Sequence, residues 1–209
     1  MFLSQTDAWA VANGGKEISW RTRNRLMLEP MDQGDFYALT NRMKWFYEDA
    51  DFPKGPDVLY WANEGEGRMS VAKKEKEKGI KFSRASETFP KATLWGEGGV
   101  SVEDVSQGSL GNCWLCASFA SLAENPDAVQ NLFLNTKTKQ SPSGLYGVNL
   151  FVLGHQMTIV VDDYLPVTYS HADLDGSSVY STIFTKVTEG GSLWVPILEK
   201  VFAKRYGNY

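Results

Sequence analysis

The sequence predicts an α+β protein in which a helical part surrounds one cysteine-bearing helix and a small β-hairpin or sheet follows it. Three observations predict this. From Cys113 onward, Leu115, Cys116, Phe119, Ala120, Leu122 and Ala123 make an apolar, small-residue run that reads as a helix central to a core. Two β-rich runs, 145–153 and 156–162, flank Gly154 in the manner of a hairpin. Near the end, Trp194, Ile197, Leu198, Val201 and Phe202 recur at i, i+3, i+4, i+7 and i+8, the spacing of an amphipathic helix.

Taken in order, the first 34 residues carry breakers, Gly14-Gly15 and Pro30-Met31-Asp32-Gln33-Gly34, and no periodic pattern. Phe36, Leu39, Met43, Phe46 and Tyr47 then fall at helical spacing with Asp35 as N-cap, which predicts a helix through about Glu48. It must end before Pro53, after which comes a short apolar segment, Val58-Leu59-Tyr60-Trp61. The alternating charges of Lys73–Lys78 read as a solvated face. Asn125-Pro126 stops the Cys113 helix, and 128–134 reads as a second, shorter one. A polar loop spans 136–144, and Gly154 turns the hairpin. In the last helix Pro196 fits the first turn, Lys204-Arg205 suit the C-terminal end, and Gly207 suits the position just beyond it.

Composition excludes several classes. The 209 residues are 43% hydrophobic and 22% charged, which fits one globular domain, or one with a peripheral extension. A net charge of −4 does not supply the clustered basic surface that nucleic acid requires. No segment reaches the roughly 18 apolar residues of a membrane span. The first residues lack the basic and apolar regions of a secretory signal, so the expected location is intracellular.

The chemistry gathers at Gln107-Gly108-Ser109-Leu110-Gly111-Asn112-Cys113-Trp114. A thiol at a helix N-terminus is placed for nucleophilic attack, because aligned peptide dipoles and unpaired N–H groups favour the thiolate. The only other cysteine is Cys116. The pair has C-x-x-C spacing, but the bulky Trp114-Leu115 interior does not suit a dithiol oxidoreductase, and two cysteines with distant His155 and His171 do not make a zinc site. Gly96, Gly98 and Gly99 lack the Lys-Ser/Thr of a phosphate-binding loop. His155 at the hairpin turn and His171 in a polar loop over 169–173 read as exposed polar residues.

The stretch Gln107–Trp114 resembles the active-site cysteine motif of the calpain family, whose usual form is Gln-Gly-x-Leu-Gly-Asp-Cys-Trp. Similar blocks stand in the family's order: Asp51-Phe52-Pro53, Val160-Val161-Asp162-Asp163-Tyr164-Leu165-Pro166, and Trp194–Lys204. The resemblance covers residues 45–209, as the N-terminal part of a catalytic domain, and leaves 1–44 as an extension. It implies a papain-like protease core of two subdomains, the second truncated here, and the activity of a calcium-dependent, intracellular cysteine endopeptidase acting on peptides and proteins.

By the same resemblance Cys113 is the nucleophile and Gln107 an oxyanion-hole donor, a kind of contact that contributes about 3 kcal/mol to a transition state. Calcium would be held by the Gly99 carbonyl, the Asp104 carboxylate and a glutamate. The glutamate position is Ser192 here, which removes a charged ligand and leaves Glu189 as the carboxylate to reach in. The family's histidine and asparagine lie about 130–150 residues after the cysteine, a position beyond Tyr209, so this chain alone is expected to be inactive. Two other readings follow: a non-catalytic subunit of a larger assembly, or half of a split protease. In each, a protein partner would cover the apolar face of the last helix.

Overall fold

The computed structural model describes residues 32–43, 45–55, 58–59, 79–135, 140–173, 176, 178–207 and 209. In chain order its elements are α1 (Gln33–Arg42), β1 (Lys81–Arg84), a short α2 (Ala85–Thr88), a 3-10 turn (Val102–Asp104), α3 (Cys113–Ala123), α4 (Pro126–Leu132), β2 (Leu145–Val152), β3 (His155–Asp162), β4 (Tyr164–Ala172), β5 (Ser178–Thr182) and α5 (Trp194–Tyr206). The breakers Gly14-Gly15 and Pro30-Met31, the second half of the segment 58–61 and the charge run Lys73–Lys78 lie outside the described residues.

The predicted hairpin forms in full. β2 and β3 pair antiparallel from Leu145 opposite Asp162 to Val152 opposite His155. Their two-residue connection, Leu153-Gly154, has positive φ at both positions, 51° and 81°, as hairpin turns of that length require. A second sheet has the order β1-β4-β5 and is antiparallel throughout. This sheet overturns the loop expected at 169–173. Tyr169 pairs with Tyr180 and His171 with Val179 on either side of a bulge, so the polar segment is the exposed end of β4. Cross-strand partners decide the conformation there, and local composition does not reveal them.

α1 is shorter than its spacing predicts, and Asp35 lies inside it instead of capping it. Long-range bonds draw the following residues out of the helix: the Tyr47 N–H donates to the Ser143 carbonyl (2.7 Å) and the Asp49 N–H to Asp162 Oδ2 (2.7 Å). Phe36 and Tyr47 are thereby buried with Leu134, Leu145 and Val160. α4 starts at Pro126, two residues earlier than expected, because Asn125 Oδ1 caps it by accepting from the Ala128 N–H.

α3 begins at Cys113, as its sequence predicts, but only one face is inside. Leu115, Cys116, Phe119 and Ala123 are buried while Trp114 is 62% exposed, so an apolar circumference overstates how deep this helix lies. α5 behaves in the opposite way. Trp194, Val195, Ile197, Leu198 and Val201 are buried by the chain itself, against β2, β3 and α3, with the Phe119 ring edge-on to Trp194. The apolar face that a partner was expected to cover is therefore already covered, and only Phe202 and Tyr206 remain at the rim. Gly207, at φ 108°, ends the helix with its N–H on the Ala203 carbonyl.

α5 also buries charge. Lys200 reaches Asp162 and the Tyr164 carbonyl (2.7 Å). Lys204 reaches both oxygens of Asp49 (2.9 and 2.7 Å) and the Val160 carbonyl (2.9 Å). Nearby, Arg84 holds Asp163 (2.5 Å) and the Tyr47 carbonyl (3.0 Å). Burial pushes the Asp49 and Asp163 carboxyls above the usual carboxylate value, against the pull of Lys204 and Arg84. Breaking such a pair from one side strands the other charge in a dry site. Lys204→Met is expected to cost about 3–5 kcal/mol of stability, read as a lowered midpoint in urea unfolding.

Candidate active site

Cys113 is the first residue of α3 and its thiol is exposed; Cys116, one turn further, is buried. The loop that leads into the helix is clamped from the other side of the chain. The Ser109 N–H and hydroxyl both donate to the Ile183 carbonyl (2.9 and 3.1 Å), and the Lys186 N–H donates to the Ser106 carbonyl (2.8 Å). Gly108 is required by this approach, since a Cβ there would lie 1.7 Å from the Phe184 carbonyl oxygen. Gly111 meets no such neighbour.

Asn112 fixes the start of the helix twice over. Its backbone carbonyl accepts from the Leu115 and Cys116 N–H groups (2.8 and 3.1 Å), and its buried amide donates to Glu199 Oε1 (2.6 Å). Glu199 Oε2 in turn accepts from the Thr185 N–H (3.0 Å) and hydroxyl (2.7 Å). One buried carboxylate on α5 thus holds both the residue before the cysteine and the segment that clamps its loop. Burial pushes the Glu199 carboxyl above its ordinary value despite these bonds. Sequence reasoning did not single out Asn112, Thr185 or Glu199. The available signal was a carboxylate set inside the apolar repeat of the last helix.

Gln107 stands on the same loop and is exposed, its amide donating to the Leu110 carbonyl (2.8 Å). An amide nitrogen has two hydrogens, so one donor is left. Gln107 borders a groove of about 370 Å³ shared with Ile80, Gly108, Ser109, Thr168, Ile183 and Lys186. Neither histidine joins the site. His155 is exposed at the hairpin end of β3, and His171 is exposed on β4 with Nδ1 at 3.2 Å from the Ser170 hydroxyl. Gly99, Asp104 and Glu189 line one open cavity of about 630 Å³ together with Lys186.

The sequence profile described as calpain family cysteine protease matches residues 47–209. The chain belongs to the calpain family. Human calpain-12 is 33% identical over 164 residues, which is 78% of this chain and 20% of the relative. The human calpain-2 catalytic subunit is 30% identical over 181 residues, 84% and 23%, and the human calpain-1 catalytic subunit 30% identical over 164 residues, 78% and 21%. The chain spans about a fifth of the length of these calpains. Its helices and small antiparallel sheets are the α+β protease core of that family.

The donors present do not suit the calcium ion that the calpain resemblance implies. Asp104 Oδ2 already accepts from Trp194 Nε1 (2.8 Å) and the Ser101 N–H (3.0 Å). Ser192, which the resemblance puts in the glutamate's place, is buried and does not line the cavity, and its hydroxyl has no hydrogen-bond partner. Among the described residues no three of His, Cys, Asp and Glu come together in a way that could hold a metal. A hard dication asks for six to eight oxygens, several of them charged.

Two measurements check this site. Calcium titrated calorimetrically to millimolar concentration is expected to give no binding heat; a saturable heat that Asp104→Asn abolishes would show that the donors rearrange. For Glu199, the folded carboxyl holds its proton more tightly than the unfolded one, whose ordinary value is 4.5. The stability of the wild type relative to Glu199→Gln should therefore fall as pH rises above about 4.5, by about 1.4 kcal/mol per unit of elevation, and level off once the folded carboxyl has ionised. Paired thermal melts across pH read this directly.

Proposed function

We propose that this chain is the nucleophile-bearing part of a calpain-type cysteine endopeptidase, with residues 45–209 as the catalytic-domain part and 1–44 as an extension that includes α1. The observation that carries the reading is the exposed Cys113 thiol at the start of a helix whose entry loop is bonded to Ile183, Lys186 and Glu199. That arrangement suits a group held ready for attack on a peptide carbonyl, with positions fixed before substrate arrives. Gln107 is the residue we assign to the oxyanion. Its remaining amide hydrogen and the backbone N–H at the cysteine are the donors for it.

What the 209 residues do not supply is the base. The chain has two histidines, and neither is hydrogen-bonded to Cys113. Without an imidazole the thiol lacks both its proton acceptor and the donor for the departing amine. We therefore read the histidine and asparagine as coming from a polypeptide segment outside these residues. The groove of about 470 Å³ between the cysteine loop and the end of α5, lined by Trp114, Phe202, Tyr206 and Tyr209, is the surface we assign to it. The free thiols fit a reducing, intracellular setting.

The test is cleavage of casein by the purified chain, alone and mixed with the histidine-bearing second subdomain of a calpain. Alone, no turnover is expected. Any turnover in the mixture should fall about 10⁴-fold or more in Cys113→Ala. Cleavage by the isolated chain that Cys113→Ala removes would overturn the missing base, and cleavage that survives Cys113→Ala would overturn the nucleophile.

A further inference from the structure

The two cysteines of the chain share the first turn of α3, and the proposed chemistry uses only one of them. Cys113 is exposed and Cys116 is buried. Three residues apart on a helix, their Cα atoms are about 5 Å from one another, within the span that a disulfide bridges, about 4.4–6.8 Å. The Cys116 side chain leans toward the helix start: its Sγ lies 3.8 Å from Asn112 Oδ1, one residue before Cys113. Long side chains and thiols on a helix cover the turn N-terminal to their own Cα, so this orientation brings the Cys116 sulfur toward the turn that carries Cys113. Burial and Glu199 push the Cys116 thiol up, so it stays protonated while Cys113 faces solvent.

We propose that Cys113 and Cys116 form a reversible oxidation pair, in which Cys113 meets a hydroperoxide and Cys116 resolves the product as an intrahelical disulfide. In the first step the Cys113 thiolate attacks the outer oxygen of the hydroperoxide. The O–O bond breaks, the departing alkoxide or hydroxide takes a proton, and Cys113 becomes a sulfenic acid. In the second step the Cys116 sulfur attacks the Cys113 sulfur. The S–S bond forms, the S–O bond breaks, and hydroxide leaves with the Cys116 proton as water. Two thiols are oxidised by two electrons in all, and the hydroperoxide is reduced to an alcohol or water.

The exposed sulfur would otherwise continue to sulfinic and sulfonic acid, which thiols do not reverse. The buried neighbour diverts it to a state that a dithiol restores. Cys116 thereby has a role that the bulky Trp114-Leu115 interior does not block, because nothing outside the chain needs to reach it. The inference concerns the thiols alone and holds whether or not the chain cleaves peptides.

The experiment treats the purified chain, fully reduced, with hydrogen peroxide stepped from one to three equivalents and reads the tryptic peptide between Lys91 and Lys137, which contains both cysteines. The expected result is loss of both free thiols together, a peptide lighter by two hydrogens, no covalent dimer, and full recovery with dithiothreitol. Cys116→Ala should instead carry one, then two or three oxygens on Cys113, with recovery lost after the first. Sulfinic acid on Cys113 beside an unmodified Cys116 in the wild type, or a dimer linked through Cys113, would overturn the proposal. The wild-type product decides the matter even if Cys116→Ala does not fold.

Discussion

Three charged side chains on one buried helix hold the rest of this chain in place. Glu199 reaches Asn112 and Thr185, Lys200 reaches Asp162, and Lys204 reaches Asp49. Each bond runs from α5 to a different segment: the cysteine loop, the corner between β3 and β4, and the stretch after α1. Apolar packing around Trp194, Leu198 and Val201 supplies the bulk of the burial but is indifferent to exact placement. Charges removed from water are not indifferent, since a displaced partner leaves an uncompensated ion. The hydrophobic term makes the fold compact, and the charged term sets where the loop before Cys113 stands.

Elements with a strong local signal were legible before any coordinates. The β2–β3 hairpin, the start of α3 at Cys113 and the periodic stripe of α5 each depend on residues close together in the chain. Tyr47 and His171 show what was not legible. Tyr47 fits a helical repeat but is held by Ser143, and His171 sits in a polar run but is paired with Val179. The same limit hid the supports of the site. The Asn112–Glu199 bond joins residues 87 positions apart, and the Lys204–Asp49 pair spans 155, distances over which spacing carries no information. Cys113 and Gln107 could be put forward from sequence because they sit together in one motif.

A site assembled in this way is rigid on one side and open on the other. The cysteine loop rests on backbone bonds to Ile183 and Lys186 and on a glycine that admits no side chain, so the thiol needs no induced ordering. Trp114 and Tyr206 face outward beside it. Under the function proposed above, preorganisation of one half of the site makes the geometry of the whole depend on how the other half docks, and therefore on a surface more than on the chemistry of any single residue.

The position of α5 in the chain has a consequence for synthesis. The helix that carries Glu199, Lys200 and Lys204 is made after every segment those residues hold, so Asp49, Asn112 and Asp162 leave the ribosome before their partners exist. Until α5 emerges, the cysteine loop lacks its Asn112–Glu199 bond, and the Asp49 and Asp162 carboxylates are still in water. Closure of these distant contacts is a late, high-contact-order event. Ordering of the residue that precedes Cys113 therefore waits until α5 docks.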